Sequence, residues 1–267
     1  MSAAVREIKP HKLNTDFAWS MPARERLRAL TPAQYAQFDT DGFCRLENVF
    51  APDEIAAVIA AIDPLEQAGE AHLRELGGRI SISEADVITF TTHIVTKSDV
   101  LKRFAAHPRI AGICRDLIGD AVRLYWDQSV YKKTGKVQEF PWHQDNGYTF
   151  IEPQQYLTLW IPLIDVDDTN GCPWIAPGWH RKGTLEHWLT PLGLKCLEDV
   201  PDAVCVPAKA GDVIAFSSLA PHRTGPNLTA GSVRKAYILQ YAPDGAFTTR
   251  SGVQARQDDE TRQFRIV

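Results

Sequence analysis

The stretch Phe140–Tyr148, FPWHQDNGY, places His143 and Asp145 two positions apart, directly after an aromatic residue and a proline. On a β-strand, residues i and i+2 point to the same side. Both side chains could then reach one ion, with Trp142 and Gln144 facing away. A 2-His-1-carboxylate triad holds iron by one face of its coordination sphere and leaves the other positions for substrate and O2. Its third ligand must come from a distant strand. His222 stands in SSLAPHRTGPN, directly after GDVIAF and at the mouth of a turn rich in Pro and Gly. Taken alone, a His-x-Asp pair is more often a solvated surface pair, and His222 reads equally as a turn histidine. His11, His72, His93, His107, His180 and His187 compete for any such role.

The surrounding chain sets the frame. At 267 residues, it is long enough for one large core or at most two small ones. With 44% hydrophobic and 23% charged residues it has the composition of an ordinary globular protein. The net charge of −4 comes with no basic run, so nucleic-acid or anionic-membrane binding has no electrostatic support. No apolar run is long enough to span a bilayer, and the N-terminus lacks the apolar stretch of a secretory signal. The five cysteines are odd in number and lack Cys-x-x-Cys spacing, which argues against a disulfide scaffold and a structural zinc site. A reducing, cytoplasmic compartment is the expectation.

Residues 30–118 read as mainly helical. TPAQYAQFDTDGF is a short helix bounded by Pro32 and Gly42. APDEIAAVIAAIDPLEQAG carries Ile55, Val58, Ile59, Ile62 and Leu65 at helical spacing, with Asp53 and Glu54 in its first turn. A third helical stretch from Ser98 to Gly119 is split by Pro108. From residue 120 to 243 short strand candidates take over: VRLYWDQSVY, YLTLWIPL, AVCVPA, GDVIAF and RKAYILQYA. In the first, Val122, Leu124, Trp126, Gln128 and Val130 alternate onto one face. This order predicts one α+β, β-rich domain over 1–267, with helices buttressing a sheet sandwich. Segments 67–97, 178–200 and the tail after 243 read as loops, the first two long enough to be lids.

Arg234 opens the apolar strand RKAYILQY, twelve residues after His222. A buried arginine needs an anionic partner, and its planar fork suits a carboxylate. Thr224 offers a hydroxyl for the same anion. Without other support, an edge-strand arginine reaching solvent is the simpler reading.

In chain order, the pieces QFDTDGF, LENVFAPDEIAAV, HPRIAGICRDLIGDAVRLYWDQSVYK, WHQDNGY, LTLWIPLIDVDDTNGCPWIAPGWH, GDVIAFSSLAPHRTGPN and RKAYILQY resemble the phytanoyl-CoA dioxygenase family of Fe(II)/2-oxoglutarate-dependent oxygenases. The resemblance runs from about Phe38 to Tyr241. It implies a double-stranded β-helix (jelly-roll, cupin-like) core with helices packed outside, Fe(II) and 2-oxoglutarate as cofactors, and O2 as cosubstrate. It places His143, Asp145 and His222 on the metal-ligand positions and Arg234 with Thr224 on the pair that holds the distal carboxylate of 2-oxoglutarate. Gln128 matches a position that often helps hold the 1-carboxylate, and also reads as an ordinary polar strand residue. Thr158 and Trp160 are lesser candidates for the same pocket, Trp160 reading rather as core.

The implied reaction is oxidation of an unactivated C–H bond, with succinate and CO2 as coproducts. Halogenases of this broad group lack the carboxylate ligand, so Asp145 favours hydroxylation. A binding protein without turnover and a cupin-type enzyme using another metal are the alternatives; the complete ligand and anchor set speaks against both. The chain departs from the family at APGWH, where Trp179 replaces a small serine and could form an aromatic wall at the mouth. Nothing basic and extended marks a coenzyme A site. Tyr148, Trp179, Trp188 and segment 67–97 could enclose a small natural-product or lipid-like substrate.

Overall fold

A computed structural model describes residues 6–23, 25–134 and 139–267. Helices lead, as the sequence requires. Thr31 caps the helix Pro32–Asp41 in a reciprocal pairing with Gln34, and Gly42 ends it at φ +83°. The helix Pro52–Glu75 starts on Pro52 with Asp53 and Glu54 in its first turn, and it runs through Pro64. Pro108 separates Asp99–Ala105 from Pro108–Leu117, because its missing N–H and its ring both fit the first turn of a new helix. Among the described residues, no helix is long and apolar enough to cross a membrane.

Two antiparallel sheets form the core of the β-part, with a two-stranded and a three-stranded sheet beside them. The larger has eight strands in the order Phe43–Leu46, Val213–Ser217, Leu157–Pro162, Arg234–Pro243, Val122–Lys132, Ile88–Thr92, Ser83–Glu84 and Arg79–Ile80. The smaller has four, in the order Val204–Cys205, Pro173–Ile175, His222–Thr224 and Phe140–His143. This is the jelly-roll of the expectation. Both faces of the large sheet are covered, so its central strands are buried throughout. Leu157, Leu159 and Ile161 pack into the main core with Ile55, Val58, Ile62, Leu101 and Ile113 of the helices. The alternate residues Thr158 and Trp160 face the cavity between the sheets.

Four sequence expectations change. Segment 67–97 is not a loop: it holds the end of the long helix, then Arg79–Ile80, Ser83–Glu84 and Ile88–Thr92, which extend the large sheet. Its strands are short and joined by turns at Ser81 (φ +52°) and Asp86 (φ +63°), so little period-two alternation shows in the sequence. Segment 178–200 contains a short 3-10 turn, Trp179–Lys182, and the hairpin Trp188–Thr190 with Gly193–Lys195. The tail after 243 forms the hairpin Phe247–Arg250 with Val253–Arg256, which pairs with Ile151–Glu152. Finally, Val122–Lys132 does not keep one face. Gln240 pairs with Trp126 and Tyr241 with Leu124, leaving Tyr125 as an inserted residue. That bulge turns Val122 and Leu124 into the helix-side core and aims Trp126, Gln128 and Val130 at the cavity.

Candidate active site

The small sheet brings the two histidines together. His222 lies directly opposite His143 in the register of their strands, with ring centroids 4.2 Å apart. The strand Phe140–His143 ends there, Gln144 is extended, and Asp145 opens the single helical turn Asp145–Tyr148. The two-residue spacing therefore works across a strand end rather than along one strand face. Ligand atoms of His143, Asp145 and His222 lie within 4.8 Å of one another. Asp145 Oδ1 stands 3.9 Å from His143 Nε2 and 3.8 Å from His222 Nε2, too far for hydrogen bonds and open enough for an ion between them.

Each imidazole is fixed from behind. His143 Nδ1–H donates to Pro141 O at 2.8 Å, and His222 Nδ1–H donates to Ala220 O at 3.1 Å. A carbonyl only accepts, so the proton resides on Nδ1 and the Nε2 lone pair faces the gap. Burial holds His143 down at about 3, with His222 contributing, and holds His222 down at about 4. Both rings are neutral at pH 7, the state a metal ligand needs. Burial raises Asp145; Thr158 Oγ1–H donates to its Oδ2, and Gln240 also hydrogen-bonds it. A divalent cation at the gap would compensate that buried carboxylate.

Gln144 does face away, as expected, and its role is structural. Its amide donates to Gly183 O (3.0 Å) and Leu219 O (2.6 Å), and its oxygen accepts from Leu185 N (2.7 Å). Its backbone N–H donates to His187 Nε2 at 2.9 Å. Asn146 likewise donates to Thr184 Oγ1 and accepts from Ile151 N. Gly147 is required by close approach: a Cβ there would lie 2.1–2.4 Å from the His187 ring. His187 thus braces the backbone between the two ligands. The sequence held a clue to it only in the pairing of a glycine with a histidine forty residues on.

Arg234, Thr224 and Gln128 line the same cavity as the triad. Arg234 is 1% exposed; one of its amino groups donates to Val130 O at 3.2 Å, its Nε has no partner, and its guanidinium lies 5.4 Å over the Trp160 ring. Burial pushes it down to about 10, so it stays charged at pH 7. A buried, incompletely partnered guanidinium facing a cavity is a receptor for an anion. Thr224 Oγ1 accepts from Lys132 Nζ at 3.1 Å, which leaves the threonine hydrogen for an acceptor in the cavity. Lys132 pairs directly across from Arg234 in the sheet and was not singled out in the sequence. Its ammonium also donates to Thr224 O and Gly225 O, and burial with Arg234 nearby lowers its pKa well below the usual lysine range. Gln128 Oε1 accepts from Trp126 Nε1 at 3.2 Å.

The remaining candidates divide. Thr158, Trp160 and Tyr148 lie in the cavity wall, as do Ile80–Ser83, Ile88, Phe90 and Thr92 of segment 67–97. Trp179 does not: its ring packs on the cluster around Trp142 under the Lys182 ammonium, 3.6 Å away. Trp188 is also outside the wall, beneath the Arg6 guanidinium. The fold of 178–190 keeps both rings out of the cavity wall.

The profile of the phytanoyl-CoA dioxygenase (PhyH) family matches residues 38–236. The chain belongs to the phytanoyl-CoA dioxygenase family. Among its relatives, the ectoine dioxygenase of Sphingopyxis alaskensis is 27% identical over 248 residues, covering 84% of this chain and 80% of the relative. The ectoine dioxygenase of Bordetella bronchiseptica is 26% identical over 223 residues, 75% of this chain and 72% of its own. Among solved structures, EctD from S. alaskensis with 2-oxoglutarate and 5-hydroxyectoine superposes with a TM-score of 0.69 at 25% identity, covering 94% of this chain and 88% of that one. The carbocyclase SnoK of nogalamycin biosynthesis shares the fold, with a TM-score of 0.68 at 24% identity, covering 86% and 93%. This family member is an Fe(II)/2-oxoglutarate-dependent oxygenase with a His-Asp-His triad, and iron and 2-oxoglutarate are its cofactors. The donor set fits them: two neutral imidazoles and a carboxylate for the metal, and an incompletely partnered guanidinium for a carboxylate.

Proposed function

We propose that this enzyme hydroxylates an unactivated C–H bond of a small organic molecule, with His143, Asp145 and His222 as the iron ligands and Arg234 with Thr224 holding the distal carboxylate of 2-oxoglutarate. The observation that carries the reading is the unpartnered Nε of a fully buried Arg234 in the cavity that also holds the triad. When bound, iron and 2-oxoglutarate supply the oxidising chemistry, O2 being consumed as 2-oxoglutarate is converted to succinate and CO2.

The protein's own part is placement. The Nδ1 bonds fix both ring planes, and the Thr158 hydroxyl holds Asp145 Oδ2 while Oδ1 faces the Nε2 atoms of both histidines. Arg234 neutralises the far carboxylate while the Thr224 hydroxyl, its lone pair engaged by Lys132, donates to the same group. Gln128, whose oxygen is engaged by Trp126, has its amide hydrogens left for the 1-carboxylate. Asp145 fills the position a halide would need, which supports hydroxylation over halogenation. Among the described residues of the wall, Arg234 is the only lysine or arginine, which falls short of the cationic surface a coenzyme A phosphate would need.

The test is spectroscopic. Anaerobic addition of Fe(II) and then 2-oxoglutarate to the purified chain should produce the weak metal-to-ligand charge-transfer band of the chelate. Absence of that band with iron bound stoichiometrically would refute the cofactor assignment. Succinate release stimulated by a candidate substrate, with one oxygen atom added to it, would establish hydroxylation.

A further inference from the structure

We infer that the substrate of this site is an uncharged, predominantly apolar molecule, received in the chamber between Phe140 and the Arg79–Glu84 hairpin. The inference rests on the cofactor reading above and names the substrate class for it. The cavity holds about 480 Å³, enough for 2-oxoglutarate and a further small molecule. Its apolar side begins at the metal. The Phe140 ring lies 4.8 Å from the His143 ring and 5.7 Å from that of Phe90. Ile82, Ile88 and Val130 continue the wall, and Ile80 lines it while 47% exposed, an apolar residue left at the mouth for a ligand to cover.

Charge decides against ionic substrates. Among the described residues of the wall, the only lysine, arginine, histidine or acidic side chains are the triad and Arg234. The three wall tyrosines are raised by burial and stay neutral. Once loaded, the two positive charges of Fe(II) and that of Arg234 balance Asp145 and the two carboxylates of 2-oxoglutarate. A charged substrate group would therefore enter a low-dielectric chamber with no counter-charge, at a desolvation cost nothing offsets. What the wall offers instead is a few neutral donors. The Tyr148 hydroxyl accepts from Leu194 N at 3.1 Å and the Ser83 hydroxyl accepts from Phe90 N at 3.3 Å, so each keeps its hydrogen for a substrate oxygen.

The roof is built rather than incidental. Arg79 donates to Pro191 O at 2.5 Å, tying the hairpin to the neighbouring one at Trp188–Lys195. At the junction Gly193 has φ +121°, and a Cβ there would meet the Tyr148 hydroxyl at 2.6 Å and Ile82 at 3.4 Å. The two hairpins close over the cavity only because that position has no side chain.

The experiment uses a matched pair of fluorescent probes, neutral N-phenyl-1-naphthylamine and its anionic sulfonate analogue 8-anilino-1-naphthalenesulfonate. Each is titrated into the full chain loaded with nickel(II) and 2-oxoglutarate, which does not turn over. The neutral probe should bind at least about tenfold more tightly than the sulfonate. Ile82→Glu and Ile80→Glu, the second at a half-exposed position that tolerates charge, should each weaken the neutral probe by about tenfold or more. Both variants should leave the 2-oxoglutarate affinity, measured by calorimetry, and the melting temperature unchanged. A sulfonate bound as tightly as the neutral probe, or neutral binding indifferent to both substitutions, would overturn the inference. A chain that binds neither metal nor 2-oxoglutarate would instead overturn the cofactor reading, so the two failures are distinguishable.

Discussion

Replacing Arg234 with methionine separates an anchoring role from a structural one, because the two roles predict opposite signs. In the protein without 2-oxoglutarate, Arg234 is a fully buried charge with one carbonyl partner and an orphaned Nε. Burial moves it from 12.5 down to about 10. At ~1.4 kcal/mol per unit this is a desolvation burden on the order of 3 kcal/mol at pH 7. Methionine fills much of the same volume without the charge, and apolar replacement of buried ionic groups is commonly neutral or stabilising. The melting temperature of Arg234→Met without 2-oxoglutarate should therefore equal or exceed that of the wild type. The affinity for 2-oxoglutarate should fall by about 2–5 kcal/mol, the cost of stripping one partner from a buried charge pair. The assay is thermal unfolding of the nickel-loaded chains with and without 2-oxoglutarate at about 100 times the wild-type Kd. The wild type should gain about 2.7 kcal/mol, or roughly 5–10 °C for a chain of this size, and the variant less than about 1 kcal/mol. Metal content should be equal in both. A variant that melts far below the wild type yet keeps the full 2-oxoglutarate shift would refute the anchor.

Three further outcomes follow from the same geometry. Thr158→Val keeps shape but removes the donor to Asp145 Oδ2, and iron affinity should drop about 10–100-fold with the fold intact, as read by metal titration. Gly147→Ala pushes His187 off the Gln144 N–H, so iron retention on dialysis should fall by a similar factor of about 10–100. His187→Ala should lose about as much, and the double variant no more than either; additive losses would show that the two residues do not act through one contact. Asp127 is buried with Oδ2 accepting from Val95 N and Tyr237 OH and with Oδ1 unpartnered, and burial pushes it from 3.8 up to about 6. A carboxyl raised in the folded state gives stability that is full below its unfolded value and lost as pH rises through about 6. Between about pH 4 and 7.5 the wild type should lose on the order of 3 kcal/mol relative to Asp127→Asn in urea titrations; parallel pH profiles would contradict that assignment.

The metal end of the site was legible because its chemistry admits few residue types. Spacing made His143, Asp145 and His222 candidates, the family resemblance named them as ligands, and the structure places their ligand atoms together. The detail of how they meet was not legible. The strand ends at His143, and Asp145 reaches the gap from a helical turn held by Gln144 and His187. A two-residue spacing looks the same in either geometry. Helix boundaries around Thr31, Pro52 and Pro108 could be read because caps and prolines act locally. The direction of Leu124 against Trp126 could not, because the bulge at Tyr125 is defined by its pairing with Gln240 and Tyr241, more than a hundred residues on.

The substrate end was opaque for a different physical reason. An apolar wall can be assembled from any hydrophobic residues that a topology brings together, so Ile80, Ile82 and Phe140 carry no signature in one dimension. Aromatic identity misled in the same way: Trp179 and Trp188 were candidates for the wall, yet the turn at 179–182 and the hairpin after it keep them out of it. The two ends also rest on different elements. The two histidines hang on short strands of the small sheet, fixed by carbonyls of their own chain segment, and Asp145 stands on the helical turn that follows the first of them. The chamber is roofed by hairpins that supply none of the three ligands. Substitutions at Ile80 or Ile82 can therefore alter what the chamber admits while leaving the iron ligands in place. One metal site can serve many substrates in such an architecture because the parts that choose the substrate are not the parts that hold the metal.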